Sequence, residues 1–182
     1  MPLVAILDAD VLFPMYLRDT LLRLSLTGCF RLHWTDEILA EMTRNLVKKT
    51  KMDEAGVARV AAKMSASFEE ARVEGWEKHA DALSNHPKDR HVAAAAVAIR
   101  ADIIVTGNIK HFKPLPNGLV ALTPDQFLVA LFEAFPEEVF ETIETQAAGY
   151  KHAPQTPLAL LERLAKQAPT FAALVSSHVV SQ

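Results

Sequence analysis

The sequence lacks several features that would place it in a specialised class of protein. Its 182 residues include one cysteine, Cys29, which excludes an internal disulfide framework and fits a reducing compartment. No apolar run approaches the ~18 residues of a membrane span. The first residues have no basic stretch ahead of an apolar core, as a secretory signal has. We therefore expect a cytoplasmic protein without a membrane partner.

An excess of positive charge is also lacking. Nineteen lysines and arginines stand against 22 aspartates and glutamates, which gives a formal net charge of −3 and a pI of about 6.2. This balance argues against a protein that grips nucleic acid over its whole surface. It leaves open an enzyme that contacts a short piece of RNA through a local basic rim, since an acidic active site lowers the total charge.

Short apolar runs alternate with segments of helical pattern. The predicted strands are residues 3–7, 30–34, 103–106 and 119–122, and the predicted helices cover about 14–26, 35–49, 53–70 and 92–100. Thr123-Pro124 is a strong helix start, and prolines at 136, 154, 157 and 169 divide the remainder into several helices. The alternation predicts an α/β fold with a mainly parallel sheet and a helical C-terminal extension.

Polar side chains follow two of the predicted strands. Asp8 and Asp10 come directly after the first strand. Thr106 ends the strand at 103–106, and Asn108 follows two residues later. Asp89 opens the helix that leads into that second strand. Ligands of open parallel sheets bind beyond the carboxyl ends of the strands. An aspartate at a helix start is usually only an N-cap, but Asp8 ends a buried run and needs a metal or strong hydrogen bonds there.

The helix that begins after Thr35 offers two glutamates, Glu37 and Glu41, one turn apart. Its apolar stripe consists of Ile38, Leu39, Met42 and Leu46. At about 100° per residue, Glu41 falls at the edge of that stripe and Glu37 nearly opposite it. Glu37 is thus expected to be solvated, and Glu41 is the preferred partner of the strand-end acids.

A cluster of three carboxylates predicts a cation. Acids brought together raise one another's pKa unless a cation compensates, and hard oxygen ligands favour Mg²⁺ or Mn²⁺. One cysteine and scattered histidines give no zinc-ligand spacing. The histidines are expected in turns or on the surface, with His91 and His111 as second choices for the site.

Four segments together resemble the PIN-domain nucleases. They are Ile6–Leu12, an apolar strand ending in an acid; Thr35–Met42, an acid-bearing helix; Asp89–Ala96, an acid heading an alanine-rich helix; and Ala101–Phe112, a strand followed by Thr-Gly-Asn and an aromatic residue. Order and spacing agree over about residues 3–125. The chain is most similar to the bacterial VapC-like toxins that carry a helical tail.

The resemblance implies a three-layer α/β/α fold, with a nuclease domain at 1–125 and a helical extension at 126–182 packed on the core or at an interface. It also implies an endonuclease that cleaves RNA with Mg²⁺ or Mn²⁺, forms a homodimer and pairs with an antitoxin protein. One departure is Asn108, where many members have a fourth aspartate. An amide oxygen can still ligate or hold a water, but it adds no charge.

In this interpretation each residue has an expected role. Asp8, Glu41 and Asp89 bind the metal and, with Asn108, form the catalytic set. Thr106 and Asp10 are expected to orient these residues without binding the metal themselves. The predicted basic rim that holds the RNA backbone consists of Arg18, Arg44, Arg90, Lys110 and Lys113.

Two other interpretations remain open. Leu7-Asp8-Ala9-Asp10-Val11 also fits the Asp-x-Asp signature of haloacid-dehalogenase phosphatases, with Asp8 as nucleophile and Asp10 as acid/base. That family needs a further acidic pair after a later strand, and none is found here. The second alternative is a PIN protein weakened by Asn108 that binds RNA without cleaving it.

Overall fold

The computed structural model describes residues 2–180 and contains one parallel sheet. Its strands are β1 (Leu3–Leu7), β2 (Phe30–His33), β3 (Ile103–Val105) and β4 (Val120–Leu122), in the order β2-β1-β3-β4. All four coincide with predicted strands, with ends displaced by one residue at most. The predicted α/β fold with a short parallel sheet is confirmed.

Helices connect and follow the strands. They are α1 (Ala9–Leu12), α2 (Met15–Leu26), α3 (Asp36–Lys49), α4 (Glu54–Ser67), α5 (Glu77–Ala80), α6 (Arg90–Ala98), α7 (Pro124–Ala134), α8 (Pro136–Ala148), α9 (Pro157–Leu164) and α10 (Pro169–Val180). Short 3₁₀ turns lie at Glu69–Ala71, Pro87–Asp89 and Ile109–Phe112. Within residues 2–180, none of the helices has the length and apolar character needed to cross a membrane.

From β1, the chain adds strands first on one side of the sheet and then on the other. It first crosses to β2 through α1 and α2, and then returns past β1 to β3 through α3 to α6. Because such crossovers are almost always right-handed, their helices lie on opposite faces of the sheet. Ala5, Ile6 and Leu7 of β1 are fully buried, as a strand covered on both faces must be. The expected three-layer arrangement is confirmed.

The predicted helix starts rest on identifiable caps. The hydroxyl of Thr35 accepts a hydrogen bond from the backbone N–H of Ile38 at 3.1 Å and so caps α3. Thr123 and Gln126 form a reciprocal capping box at the start of α7. The short helix α1 was not predicted, because Asp8 caps Ala9 directly and starts a helix before Pro14.

The C-terminal helices pack against the sheet layer of the same chain. Phe127, Leu128 and Leu131 of α7 are buried, and the ring of Phe127 meets that of Phe30 edge to face with centroids 5.0 Å apart. Helix α10 packs on α7 and α9. The apolar face of α7 therefore lies on the core.

A buried amide fastens α8 to α2. Gln146 is fully buried, and its Oε1 accepts a hydrogen bond from the hydroxyl of Thr20 at 2.8 Å. Its Nε2 donates to the carbonyl of Tyr16 at 3.2 Å and to the phenol oxygen of Tyr150 at 3.0 Å. The buried amide therefore joins α8 to α2 and to Tyr150 through three hydrogen bonds.

We expect Gln146→Ala to lower the free energy of unfolding by about 1–3 kcal/mol, because it removes three hydrogen bonds that the amide makes in the interior. Urea unfolding followed by circular dichroism measures the change. Gln167→Ala, at a half-buried position of the same tail, is the control and should stay within about 0.5 kcal/mol of wild type. Equal stability of the two variants would contradict the role given to Gln146.

Candidate active site

The ends of β1 and β3 bring the first acid next to a threonine. Leu7 pairs with Val105, and the backbone N–H of Asp8 donates to the carbonyl of Val105 at 3.0 Å. One residue further, the hydroxyl of Thr106 donates to Oδ2 of Asp8 at 2.8 Å, while Oδ1 accepts from Ala9 N at 2.7 Å. Asp8 is 5% exposed and Thr106 fully buried. The parallel register thus fixes the orientation of Asp8.

Asp10 lies over the loop that follows β3. Its Oδ2 accepts hydrogen bonds from the backbone N–H of Gly107 at 3.0 Å and from Nδ2 of Asn108 at 3.3 Å. Its Oδ1 is buried and has no hydrogen-bond partner among the described residues. A Cβ at position 107 would lie 2.6 Å from Oδ2 of Asp10, so a side chain there would displace this carboxylate from its position. The side chain of Asn108 therefore serves Asp10 as a donor.

Glu41 reaches the site from α3. That helix packs against α1, which begins immediately after Asp8. The Glu41 side chain is 24% exposed, and Oε1 lies 3.7 Å from the ammonium nitrogen of Lys88. Glu37 is exposed, as its place on the helix predicted. Glu41 is thus the α3 acid that faces the other carboxylates.

Asp89 ends a 3₁₀ turn and is 5% exposed. It occupies the N-cap position of α6, yet its side chain makes no capping hydrogen bond. Instead, Oδ2 lies 2.6 Å from Nδ1 of His111. The ring of His111 stacks on that of His86, with centroids 4.3 Å apart and planes 14° from parallel. The simple N-cap interpretation of Asp89 therefore does not describe its side chain.

The four acids influence one another electrostatically. Burial raises the pKa of Asp8 above its usual range, and the charges of Asp89 and Glu41 raise it further, while the hydrogen bonds from Thr106 and Ala9 lower it. Burial raises the pKa of Asp10 to about 7, with further increases from Asp8, Asp89 and Glu41. Nearby like charges that raise a carboxyl pKa in this way are stabilised by a cation.

The donors suit a hard divalent cation. Asp8, Asp10, Glu41 and Asp89 offer oxygen, and Oδ1 of Asp10 lacks a partner. These are the ligand types that Mg²⁺ and Mn²⁺ take. Among residues 2–180, however, the histidine and acidic ligand atoms that lie within 4.8 Å of one another belong to His86, Asp89 and His111. The predicted ligands Asp8, Glu41 and Asp89 share one electrostatic site without forming so tight a group.

The predicted basic rim is only partly on the surface. Arg44, Lys110 and Lys113 are exposed, as expected. Arg90 is half-buried and donates to the carbonyl of Asn85 at 3.3 Å. The surface position predicted for Arg18 is wrong: it is 8% exposed.

The guanidinium of Arg18 is used inside the protein. Its Nη1 donates to the carbonyls of Leu12 at 2.8 Å and Phe13 at 3.0 Å, which are the free carbonyls at the end of α1. Because those contacts hold the helix that carries Asp10, Arg18 supports the site structurally and is no longer part of the proposed rim.

Sequence reasoning did not identify His86 and Lys88 as residues of the site, and it ranked His111 second. The sequence feature that could have indicated these residues is that His86 and Asp89 lie in one turn and that His111 follows β3. The backbone N–H of His86 donates to the carbonyl of His111 at 3.0 Å, which joins the two segments. This contact spans distant parts of the chain, so local spacing did not reveal it.

The charge on Asp8 is expected to destabilise the metal-free protein. Because burial raises the folded-state pKa, stability is greatest at acid pH, where the carboxyl is protonated, and decreases as pH rises through that pKa. Asp8→Asn removes this loss and should raise the melting temperature in EDTA at neutral pH by roughly 2–4 °C. Its advantage over wild type should shrink as the pH is lowered.

Thermal melts with and without EDTA test this expectation. Mg²⁺ or Mn²⁺ should stabilise the wild type and should stabilise Asp8→Asn much less. Asp81→Asn, at an exposed position outside the site, is the control. A variant at position 8 that melts below the wild type in EDTA at neutral pH would contradict the argument.

Comparison with known proteins agrees with this geometry. A family model described as PIN domain matches residues 4–110, and one described as VapC50 C-terminal domain matches residues 124–177. The curated relative named "Putative ribonuclease VapC50", from Mycobacterium tuberculosis (strain ATCC 25618 / H37Rv), is 44% identical over 95 residues. That match covers 50% of this chain and 56% of the relative, so the chain spans about half the length of the curated relative it matches.

The PIN-domain model covers more than half of the chain and includes both strand ends and every acid of the site. Together with the parallel sheet and the carboxylates at its carboxyl edge, this match means that the chain belongs to the PIN-domain family.

Proposed function

We propose that this chain is a metal-dependent endoribonuclease and the toxin of a toxin–antitoxin pair. The observation that carries the proposal is a group of four acids at the carboxyl edge of the sheet, in which burial and neighbouring charges raise the pKa of Asp8 and of Asp10. The four are Asp8, Asp10, Glu41 and Asp89. Two findings support RNA as the substrate. The curated relative carries the name "Putative ribonuclease VapC50", and the chain belongs to the PIN-domain family.

Asp8, Glu41 and Asp89 are proposed as the residues that hold Mg²⁺ or Mn²⁺. When bound, such an ion would neutralise phosphate oxygens and lower the pKa of a water for in-line attack on a phosphodiester. The unsatisfied Oδ1 of Asp10 supports a divalent cation here, because a buried carboxylate oxygen without a donor is otherwise unfavourable.

The remaining residues of the site orient the ligands. Thr106 directs Oδ2 of Asp8 through its hydroxyl, and Gly107 and Asn108 hold Oδ2 of Asp10. Asn108 contributes in this way without adding a negative charge, which suits a site that already contains four acids.

The exposed lysines after β3 are proposed to hold the RNA backbone. Lys110 and Lys113 extend from the segment that also carries Asn108 and His111. Arg44 lies on α3, three residues beyond Glu41. A local set of cations near an acidic site is sufficient to hold a short stretch of phosphates, although the whole chain is acidic.

The domain division and the partners are part of the proposal. We assign residues 1–125 to the nuclease domain and 126–182 to the helical extension, of which 181–182 lie outside the described residues. The separate matches at 4–110 and 124–177 support a boundary near the start of α7. A homodimer and an antitoxin protein are the partners that VapC-like toxins lead us to propose.

The family match bears differently on the two alternative functions. Membership of the PIN-domain family removes the reason for proposing a haloacid-dehalogenase phosphatase. An RNA-binding PIN protein that no longer cleaves is kept as an outcome of the experiment, since Asn108 replaces an acid in the motif.

Glu41 and Glu37 provide a matched pair for testing activity. They lie one turn apart on α3, one facing the acids and the other solvent. We expect Glu41→Gln and Asp8→Ala to reduce metal-dependent RNA cleavage by roughly 100-fold or more, because each removes charge that holds the ion. Glu37→Gln should cleave like wild type. The assay uses a mixed structured-RNA pool with Mg²⁺, with Mn²⁺ and with EDTA.

The outcomes of that assay separate the proposals. Cleavage in EDTA, or cleavage equally reduced in Glu37→Gln and Glu41→Gln, would contradict the assigned site. RNA binding without cleavage, in the presence of either metal, would replace the nuclease proposal with an RNA-binding one.

The rim is tested by the salt dependence of RNA binding. Lys110→Ala and Lys113→Ala should each weaken binding similarly for different sequences and reduce the slope of log K against log[salt] by about 1 where a phosphate contact is lost. Lys166→Ala, an exposed lysine of the extension, is the control and should leave the slope unchanged. An unchanged slope in both rim variants would remove these lysines from the interface.

A further inference from the structure

Two histidines lie beside Asp89 and are not used by the carboxylate site. His86, Asp89 and His111 each offer one ligand atom, and these atoms lie within 4.8 Å of one another. Their surroundings differ in exposure: Asp89 is buried, His111 is half-buried and His86 is exposed. The group therefore opens to solvent on the His86 side and is anchored on the Asp89 side.

The scaffold of this group is already ordered by the chain itself. The carbonyl of His111 accepts hydrogen bonds from the backbone N–H of His86 at 3.0 Å and from Nδ2 of Asn85 at 3.4 Å. Asn85 is 1% exposed. These contacts bind the turn at 85–89 to the segment after β3, so the two imidazoles remain beside Asp89 without needing a ligand to assemble them.

The contact between Asp89 and His111 already brings two ligand atoms together. Nδ1 of His111 lies 2.6 Å from Oδ2 of Asp89, with one proton between them. A divalent ion that displaces this proton would be bound by both atoms, because metal ligands must be deprotonated. His86 stacks on His111, and its Nδ1 accepts a long hydrogen bond of 3.3 Å from Lys88 N. Because His86 is exposed, its side chain can rotate to direct a ring nitrogen toward the ion.

We propose that His86, Asp89 and His111 form a second metal site that is selective for borderline transition-metal ions such as Zn²⁺, Co²⁺ and Ni²⁺. Two imidazoles and one carboxylate favour these ions over Mg²⁺, which prefers oxygen ligands alone. Three protein ligands leave room for a water or a substrate oxygen. Asp89 belongs both to this histidine site and to the carboxylate site, whereas His86 and His111 belong to the histidine site only.

The experiment titrates Zn²⁺ into the metal-stripped protein by calorimetry, without added Mg²⁺, because Mg²⁺ at the carboxylate site would compete for Asp89. One equivalent of Zn²⁺ should bind to the wild type. His86→Ala and His111→Ala should each weaken binding by about tenfold or more. Asp8→Asn, which alters only the carboxylate site, and His152→Ala, an exposed histidine of the C-terminal region, should bind Zn²⁺ like the wild type.

A second readout assigns the ligand atoms. In ¹⁵N-labelled protein, one ring nitrogen of His86 and one of His111 should shift on addition of Zn²⁺, and His152 should not. If His111→Ala fails to fold by circular dichroism, the exposed His86→Ala and the nitrogen shifts decide the result. Absence of Zn²⁺ binding to the wild type would overturn the proposal, as would binding that persists in His86→Ala or is lost in Asp8→Asn. None of these outcomes depends on ribonuclease activity, so the proposed function is judged separately.

Discussion

The hydrogen bond from Thr106 to Asp8 joins the carboxyl ends of the two central strands, and the rest of the site is arranged around it. It follows from the parallel register of β1 and β3, which places the first residue beyond each strand side by side. Helix α1 starts from Asp8, and α3 packs on α1. The position of Glu41 therefore depends on the same strand pair that orients Asp8.

The site brings several carboxylates together at the carboxyl edge of the sheet, although this placement does not stabilise the fold. Burial and neighbouring acids raise the pKa of both Asp8 and Asp10, while hydrogen bonds from Thr106 and Ala9 to Asp8 and from Gly107 to Asp10 lower it. Lys88 adds a cation next to Glu41 from the exposed side. This is the trade-off expected of a functional site, in which stability of the empty protein is given up for binding of a cation and a phosphate.

Local patterns predicted the features that depend on local physics. Apolar runs predicted the four strands, Thr35 and Thr123 marked two helix starts, and helical periodicity separated Glu41 from Glu37. The ligand roles of Asp8, Glu41 and Asp89 stay predictions. Arg18 was misplaced because arginine is usually exposed, whereas here it satisfies carbonyls at the end of a helix. The stacked pair of His86 and His111 depends on a loop contact between segments distant in sequence, which periodicity does not encode.

Because Gly107 lies so close to Asp10, a substitution at one of the two positions affects which residues the other can accept. Any side chain at 107 would occupy the space of the Asp10 carboxylate, so a substitution there first displaces an acid of the site. Among descendants of this sequence, the glycine and the aspartate should accordingly be retained or lost as a pair. A lineage that gives up its acid at position 10 is released from the glycine as well.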